Sequence, residues 1–219
     1  MYSKYSKYSN YTNARDNAWR YLIRHKVKEL PVDVFALCRK DKIALIPYSA
    51  PESRHMAELV GVGDWIDRTD GFAVQIAGTS AIFWNDTLPI ARQRFTVAHE
   101  LGHIFNGDLC FVPTFRNKEP SENDDPQETA ANIFAARILS PACVLWALDV
   151  KDADTISELC GISKTAAQWR YKRLSLLYER EKNFMDKYGK SCFLLTPLER
   201  KVFKQFKKYI KSRQKYKDI

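Results

Sequence analysis

The stretch "RQRFTVAHELGHIFNGD", residues 92–108, decides how the whole chain is interpreted. It places His99 and His103 four residues apart, with Glu100 directly after the first histidine. In an α-helix, residues i and i+4 lie on one face, so both imidazoles can bind the same ion. Glu100 is rotated by about 100° from His99, which suits a general base better than a ligand. The spacing predicts a helix that holds zinc for metal-assisted hydrolysis.

The alternative is an ordinary helix that contains two unrelated histidines. With average use of His and Glu, the pattern arises by chance in such a chain on the order of once in a hundred. Two of the four histidines of the chain fall within it. Gly102 costs the helix roughly 1 kcal/mol relative to alanine, which indicates that another element packs closely against this position. Both observations favour the zinc site.

A catalytic zinc ion needs a third protein ligand and keeps its fourth position open. The acidic candidates that follow the histidines are Asp108, Glu119, Glu122, Asp124, Asp125 and Glu128. Glu128 is preferred, because it opens a helix that can pack against the first and hold the carboxylate in place. Asn132 follows Glu128 at i+4 on the same face, so we expect it to orient a ligand by hydrogen bonding. Asp108 is a second candidate for that supporting role.

The composition is that of a folded domain without a membrane anchor. With 219 residues, 45% of them hydrophobic, the chain has room for one large domain or a medium domain with a small appendage. No stretch approaches eighteen consecutive apolar residues, so no membrane span is expected. The N-terminal "MYSKYSKYSNYT" lacks the apolar middle of a secretory signal and is expected to be a flexible tail. The five scattered cysteines lack a CxxC pair, which favours a cytoplasmic protein.

The pattern of apolar residues predicts an α+β fold in which helices dominate. The expected helices include residues 13–28 and 128–139, and between them a long helix that has Pro89 near its start and ends near Asn106 and Gly107. Pro31 suits the first turn of a further helix, and "KIALIPYS" has the length and composition of a strand. The segments "FAVQI" and "AIFW" flank Gly78 and Thr79 and predict a hairpin, so a small antiparallel sheet should precede the histidine helix. The expected loops are residues 51–64 and 114–127.

Residues 156–174, "ISELCGISKTAAQWRYKRL", have helix-turn-helix character. Gly161 lies in the predicted turn, and Ser163 is placed to cap the second helix. The basic residues of this second helix are Arg170, Lys172 and Arg173. One hypothesis is that the second helix contacts DNA, and the alternative is that the helical pair packs on its own chain or on a partner.

The net charge of +9 is concentrated near the C-terminus. After Pro197, lysines and arginines alternate with apolar residues at helical spacing. Such a helix is expected to cover its own domain with its apolar side and leave its charges in solvent. The alternatives are contact with a membrane, nucleic acid or an acidic partner.

Two segments, "ARQRFTVAHELGH" and "ETAANIFAARILSP", together resemble the ImmA/IrrE family of metallopeptidases. In that family an HExxH helix precedes a Glu-x-x-Ala-Asn-x-Phe-Ala-Ala segment, and the alignment places the family's ligand glutamate on Glu128. A second glutamate of the family falls on Ala130, which removes an auxiliary charge but no expected ligand. The resemblance extends upstream through "LPVDVFALC", "DGFAVQI" and "FWNDTLPIARQRF" and covers roughly residues 15–145.

The resemblance implies a zincin-like fold and zinc-dependent endopeptidase activity. Characterised members are similar in cleaving helix-turn-helix repressors of phage-like or mobile elements, so the expected partner is a repressor of that kind. The expected division of the chain is a tail at residues 1–12, a zinc metallopeptidase domain at 13–148, a helix-turn-helix-like segment at 149–180 and a basic helical region at 181–219.

In the expected mechanism, zinc is held by His99, His103 and Glu128, while Glu100 takes a proton from the attacking water and passes it to the leaving amine. Four side chains are candidates for stabilising the oxyanion, and the sequence does not choose among them: His55, Tyr48, Arg92 and Arg94. A second hypothesis is a transcriptional regulator that binds DNA or a partner and has a structural or vestigial metal site. A third is a hydrolase of small substrates on the same scaffold.

Overall fold

The computed structural model describes residues 4–76, 78–107, 125–188 and 196–215. In these ranges the chain forms nine α-helices, three strands and a short 3₁₀ helix, Gly63–Asp67. The other elements are α1 (Lys4–Arg24), α2 (Val34–Lys40), β1 (Ala44–Pro47), α3 (Ser53–Leu59), β2 (Gly71–Ile76), β3 (Thr79–Trp84), α4 (Ile90–Asn106), α5 (Pro126–Leu139), α6 (Ala142–Ala147), α7 (Ala153–Cys160), α8 (Lys164–Tyr188) and α9 (Pro197–Lys215). The predicted α+β class is confirmed.

The chain divides into two compact units. The first contains Met1–Ala18 and Asp33–Ala135, and the second contains Trp19–Val32 and Ala136–Ile219. Helices α1 and α5 each have residues in both units, so this division differs from the one drawn along the sequence after residue 148. The functional boundaries drawn from the sequence remain predictions.

The first unit is built on a three-stranded mixed sheet with the strand order β1-β3-β2. β2 and β3 form the predicted hairpin, in which Phe72 lies opposite Phe83 and the two rings stack with centroids 4.7 Å apart. β1 pairs with β3 in parallel, with Leu45 opposite Ile82. The predicted small antiparallel sheet is therefore present as β2 and β3, and the parallel pairing of β1 makes the sheet a mixed one. The long connection after β1 reverses the chain before β2, so β1 and β3 point the same way.

A core cluster joins this sheet to α3 and the segment that follows it. Its buried members are Ile46, Ala57, Val62, Phe72, Ala81 and Phe83. The expectation that residues 51–64 form a loop is wrong, since they contain α3 and the start of the 3₁₀ helix. A helix as short as α3 has little stability of its own. Burial of Ala57 and Val62 in the core cluster stabilises it.

Helix α4 packs against β2 and β3. It follows Pro89 and ends at Gly107, whose φ of 78° is the left-handed conformation that closes many helices, as the sequence predicts. Gly71 permits the contact between sheet and helix. A Cβ atom at this position would lie 2.4 Å from Cγ2 of Thr96 and 2.8 Å from the carbonyl oxygen of Phe83. The sheet is therefore a close support for the helix that carries the histidines.

Residues 4–12 belong to α1, because the sequence contains no proline or glycine that would end the helix between residues 4 and 24. The flexible tail at residues 1–12 remains a prediction, whereas the expectation for Pro31 is wrong. Helix α2 does not include Pro31 in its first turn. It begins at Val34, after the Asp33 carboxylate accepts a hydrogen bond of 2.9 Å from the backbone N–H of Ala36.

In the second unit, α7 and α8 enclose the predicted turn. Gly161 has a φ of 60°, and the Ser163 hydroxyl accepts a hydrogen bond of 3.2 Å from the backbone N–H of Ala166, as expected for an N-cap. Helix α8 is longer than predicted and reaches Tyr188. Arg170 is buried and donates to the carbonyl oxygen of Ser140, so it holds α8 within this unit. Contact of α8 with DNA remains a prediction.

Helix α9 covers its own unit, as predicted. Val202, Phe206 and Ile210 are buried, and the helix packs against α6. By length and composition alone, Pro126–Ala147 is apolar enough to cross a membrane, but 67% of its most apolar window is buried inside the protein. The core helix of a folded protein has the same length and apolar composition, so the described ranges contain no clear membrane span.

Candidate metal centre

Helix α4 places two imidazoles side by side inside the first unit. His99 is fully buried, and its Nε2 atom lies 2.8 Å from Nε2 of His103. The two residues are one helical turn apart, so their side chains leave the same face of the helix. Glu100 lies next to them on α4 and is 7% exposed. The local sequence determines that the two imidazoles share one face of α4.

Helix α5 adds a carboxylate to the two imidazoles. Glu128, in the first turn of α5, places Oε1 at 3.1 Å from Nε2 of His103 and Oε2 at 3.3 Å from Nε2 of His99. One ligand atom from each of the three residues can be chosen so that all lie within 4.8 Å of one another, a grouping that can hold a metal ion. The structure therefore brings together the three residues that the sequence predicts as ligands.

A close contact between α4 and α5 sets the position of Glu128. A Cβ atom on Gly102 would lie 3.1 Å from Cα of Ala131 and 3.2 Å from the ring of Phe134. These are tight distances, and the nearest neighbour is a backbone atom that cannot rotate away. Glycine at this position therefore lets α5 approach α4, which confirms the expectation that another element packs closely here.

Asn132 orients the first imidazole. Its Oδ1 atom lies 2.9 Å from Nδ1 of His99. An amide oxygen only accepts hydrogen bonds. Nδ1 of a neutral His99 therefore carries the proton and donates a hydrogen bond to Oδ1 of Asn132. The lone pair of Nε2 then points toward His103 and Glu128, in the form that binds a metal ion.

Tyr48 lies within electrostatic reach of Glu100. Its hydroxyl is 3.0 Å from the hydroxyl of Thr69. Burial is the main cause that raises the pKa of Tyr48, and the negative charge of Glu100 raises it further. The phenol is therefore protonated at neutral pH and able to donate a hydrogen bond. The sequence does not separate Tyr48 from the other candidates for the oxyanion, because its proximity to Glu100 arises only in the folded chain.

The remaining candidates differ in their surroundings. Among the candidates for the oxyanion, Arg92 pairs with Asp70, at 2.5 Å between nitrogen and oxygen, and His55 is exposed on α3.

Among the acidic candidates for the third ligand, Asp125 is exposed and accepts a hydrogen bond of 2.8 Å from the backbone N–H of Gln127 at the start of α5. The other acidic candidates lie outside the described residues, and these are Asp108, Glu119, Glu122 and Asp124.

Buried thiols are poor alternative ligands. Burial raises the pKa of Cys38 and of Cys143 to about 12, so both remain protonated at neutral pH. A metal ion binds the thiolate, which is scarce under these conditions. The cluster of two imidazoles and one carboxylate is the arrangement in the described ranges that suits a divalent ion.

Two histidines on one helix, a carboxylate from a second helix and a further buried glutamate are typical of a metal-dependent hydrolase. The chain matches the family model of the IrrE N-terminal-like domain, peptidase family M78, over residues 62–172. This match covers half of the chain and includes α4 and α5, and the chain therefore belongs to this family of metallopeptidases. No curated protein matches the chain.

Replacement of Gly102 by valine should damage the site without changing any of its polar groups. The added side chain would push α5 from α4, so we expect both a loss of stability of about 1–3 kcal/mol and a weaker affinity for zinc. Ala91→Val, at a partly exposed position of the same helix, controls for the effect of a β-branched residue. Urea denaturation and a competitive chelator titration measure the two quantities. Unchanged zinc affinity in Gly102→Val would contradict the role given to this contact.

Proposed function

We propose that the protein is a zinc-dependent endopeptidase that acts in the cytoplasm on a regulatory protein, a helix-turn-helix repressor of a phage-like or mobile element. The observation that carries the peptidase assignment is the convergence of His99, His103 and Glu128 beside the buried Glu100. Family membership supports peptide-bond hydrolysis that depends on a metal ion. The repressor as substrate rests on the resemblance to ImmA/IrrE proteins.

Zinc suits this set of donors. Two imidazole nitrogens and one carboxylate oxygen form a common ligand set of catalytic zinc, and the fourth position stays available. Ligands of a tetrahedral zinc ion lie roughly 3.3–3.4 Å apart, because each bond measures about 2.0–2.1 Å. Oε1 of Glu128 lies 3.1 Å from Nε2 of His103 and Oε2 lies 3.3 Å from Nε2 of His99, so each carboxylate oxygen is close to this separation from one imidazole. The separation of 2.8 Å between the two imidazoles needs only a small outward rotation. When bound, zinc supplies a Lewis acid that activates water and polarises a carbonyl group.

Glu100 is the proposed general base. It follows His99 directly on α4, its side chain is buried, and it is not one of the three converging groups. It accepts a proton from the attacking water and later donates it to the leaving amine. Its burial keeps bulk water from competing for that proton.

Tyr48 is the proposed donor to the oxyanion. Its phenol is protonated, and the negative charge of Glu100 raises the pKa of that phenol. A neutral hydroxyl can exchange its hydrogen bond with Thr69 for one with the substrate oxygen as negative charge develops there. The pairing of Arg92 with Asp70 makes that side chain a weaker candidate.

An edge strand offers a place for an extended substrate. β2 lies at one edge of the sheet, since the strand order is β1-β3-β2, and it packs against α4. A peptide can pair with such an edge through backbone hydrogen bonds, which is compatible with many side-chain sequences. This favours a protein substrate over a small amide. The regulator hypothesis with a vestigial site is less well supported, because none of the four proposed site residues is missing.

Glu100→Gln should retain zinc and lose peptidase activity. The amide cannot accept the water proton, so we expect a decrease in cleavage rate of at least about 100-fold. The test incubates the full-length protein with the repressor encoded beside its gene, with and without a chelator, and identifies fragments by mass spectrometry. A metal-loaded variant that cleaves at the normal rate would exclude Glu100 as the base. Hydrolysis of small amides without cleavage of any repressor would favour the third hypothesis.

Asn132→Ala should weaken zinc binding by about 10- to 100-fold, because His99 loses the acceptor that fixes its ring and its proton. Asn132→Asp keeps an acceptor at the same position and is the matched control, with affinity near that of the wild type. Competition with a chromophoric chelator gives both affinities. Equal affinities for the alanine variant and the wild type would show that Asn132 does not position His99.

A further inference from the structure

Helix α9 carries a strongly basic face whose function is not explained by peptide hydrolysis. Six exposed cationic residues form this basic face: Arg200, Lys201, Lys204, Lys207, Lys208 and Lys211. With a rotation of about 100° per residue, all six project within an arc of roughly 120°. They form three rows along the helix, and the two members of each row are seven residues, or about 10.5 Å, apart.

The opposite side of α9 is already used. Val202 and Phe206 are fully buried and Ile210 is 5% exposed, so the apolar side packs within its own unit. A helix that inserts into a membrane surface needs this apolar side free. Because these apolar residues are buried, α9 has no free apolar side to insert into a lipid interface. Its exposed charges are the part of the helix that can contact a partner.

The basic face has little compensating negative charge. Glu199 is the single acidic residue of α9, and it accepts a hydrogen bond of 2.9 Å from the backbone N–H of Thr196 at the start of the helix. In the described part of the chain, the six cations make no salt bridge. Lys207 and Lys211 border a cavity that Asp149 and Glu181 also line, but within the described ranges no salt bridge joins these lysines to either acid. Asp149 pairs with Lys151 at 2.7 Å, and Glu181 accepts a hydrogen bond of 2.7 Å from Trp146.

The two glutamines of α9 are also engaged within the second unit. Gln205 donates to the carbonyl oxygens of Leu22 and Val27, each at 3.1 Å, and Gln214 donates to the carbonyl oxygen of Ala147 at 2.9 Å. Amide side chains are among the groups that read base edges in a groove. Since both amides are used to hold the helix in place, the basic face offers no amide to read base edges, and its lysines and arginine bind phosphates through their charge.

We propose that the basic face of α9 binds duplex DNA through its phosphates, without sequence preference. A helix of about 10–12 Å diameter fits the major groove, which is about 12 Å wide. The outer rows, Arg200 with Lys207 and Lys201 with Lys208, then face the phosphates of the two strands, and the long side chains of Lys204 and Lys211 between them extend to the same phosphates. This DNA-binding activity is independent of the peptidase activity proposed above and does not require the metal centre.

Salt dependence of DNA affinity tests the proposal. The full-length protein is titrated into two fluorescent duplexes of unrelated sequence between about 50 and 200 mM salt. Contact with six phosphates predicts a slope of log affinity against log salt of about −5, with equal affinities for both duplexes. A triple variant, Lys201→Ala, Lys204→Ala and Lys208→Ala, should make the slope less negative by about 3.

The matched control removes three exposed lysines elsewhere, by Lys28→Ala, Lys40→Ala and Lys182→Ala, and should keep the wild-type slope. Circular dichroism verifies that both variants retain their helices. Absence of DNA binding at low salt would overturn the proposal, as would equal slopes for the two triple variants. Tighter binding to vesicles of anionic lipid than to either duplex would overturn it as well.

Discussion

The contact between α4 and α5 at Gly102 is the constraint on which the metal centre depends. A helix with two histidines supplies at most two ligands from its own face, so the third ligand must come from another element. The backbone of Ala131 lies so close that a Cβ atom on Gly102 would be only 3.1 Å from its Cα atom. This approach brings the carboxylate of Glu128 to 3.1–3.3 Å from both imidazoles. A bulkier residue at the contact would separate ligands that lie on different helices.

The electrostatics of the cluster also favour a cation. Glu100 and Glu128 are 7% and 9% exposed, and isolated buried carboxylates lose several kcal/mol of hydration each. A divalent ion between the imidazoles and Glu128 compensates this charge directly and changes the protonation of every group near it. Binding of the ion is therefore expected to stabilise the first unit as well as to enable its chemistry.

The sequence predicted the parts of the fold that depend on local patterns. The histidine helix, the β2–β3 hairpin and the turn at Gly161 follow from helical spacing, strand composition and glycine conformation, and the structure contains all three. It did not predict α3, whose short length makes it depend on the burial of Ala57. The parallel pairing of β1 and the charge of Glu100 acting on Tyr48 were also missed, since both join residues far apart in the chain. Glu128 was predicted because it opens a helix, and the family resemblance supports the same residue.

The most direct test of the metal centre is X-ray absorption at the zinc edge on the full-length protein loaded with one equivalent of zinc. We expect about one zinc ion per chain, with two imidazole nitrogens and one carboxylate oxygen at about 2.0–2.1 Å and no sulfur ligand. A spectrum with sulfur neighbours, or with a shell of six oxygens and no imidazole signal, would show that His99, His103 and Glu128 do not hold the ion.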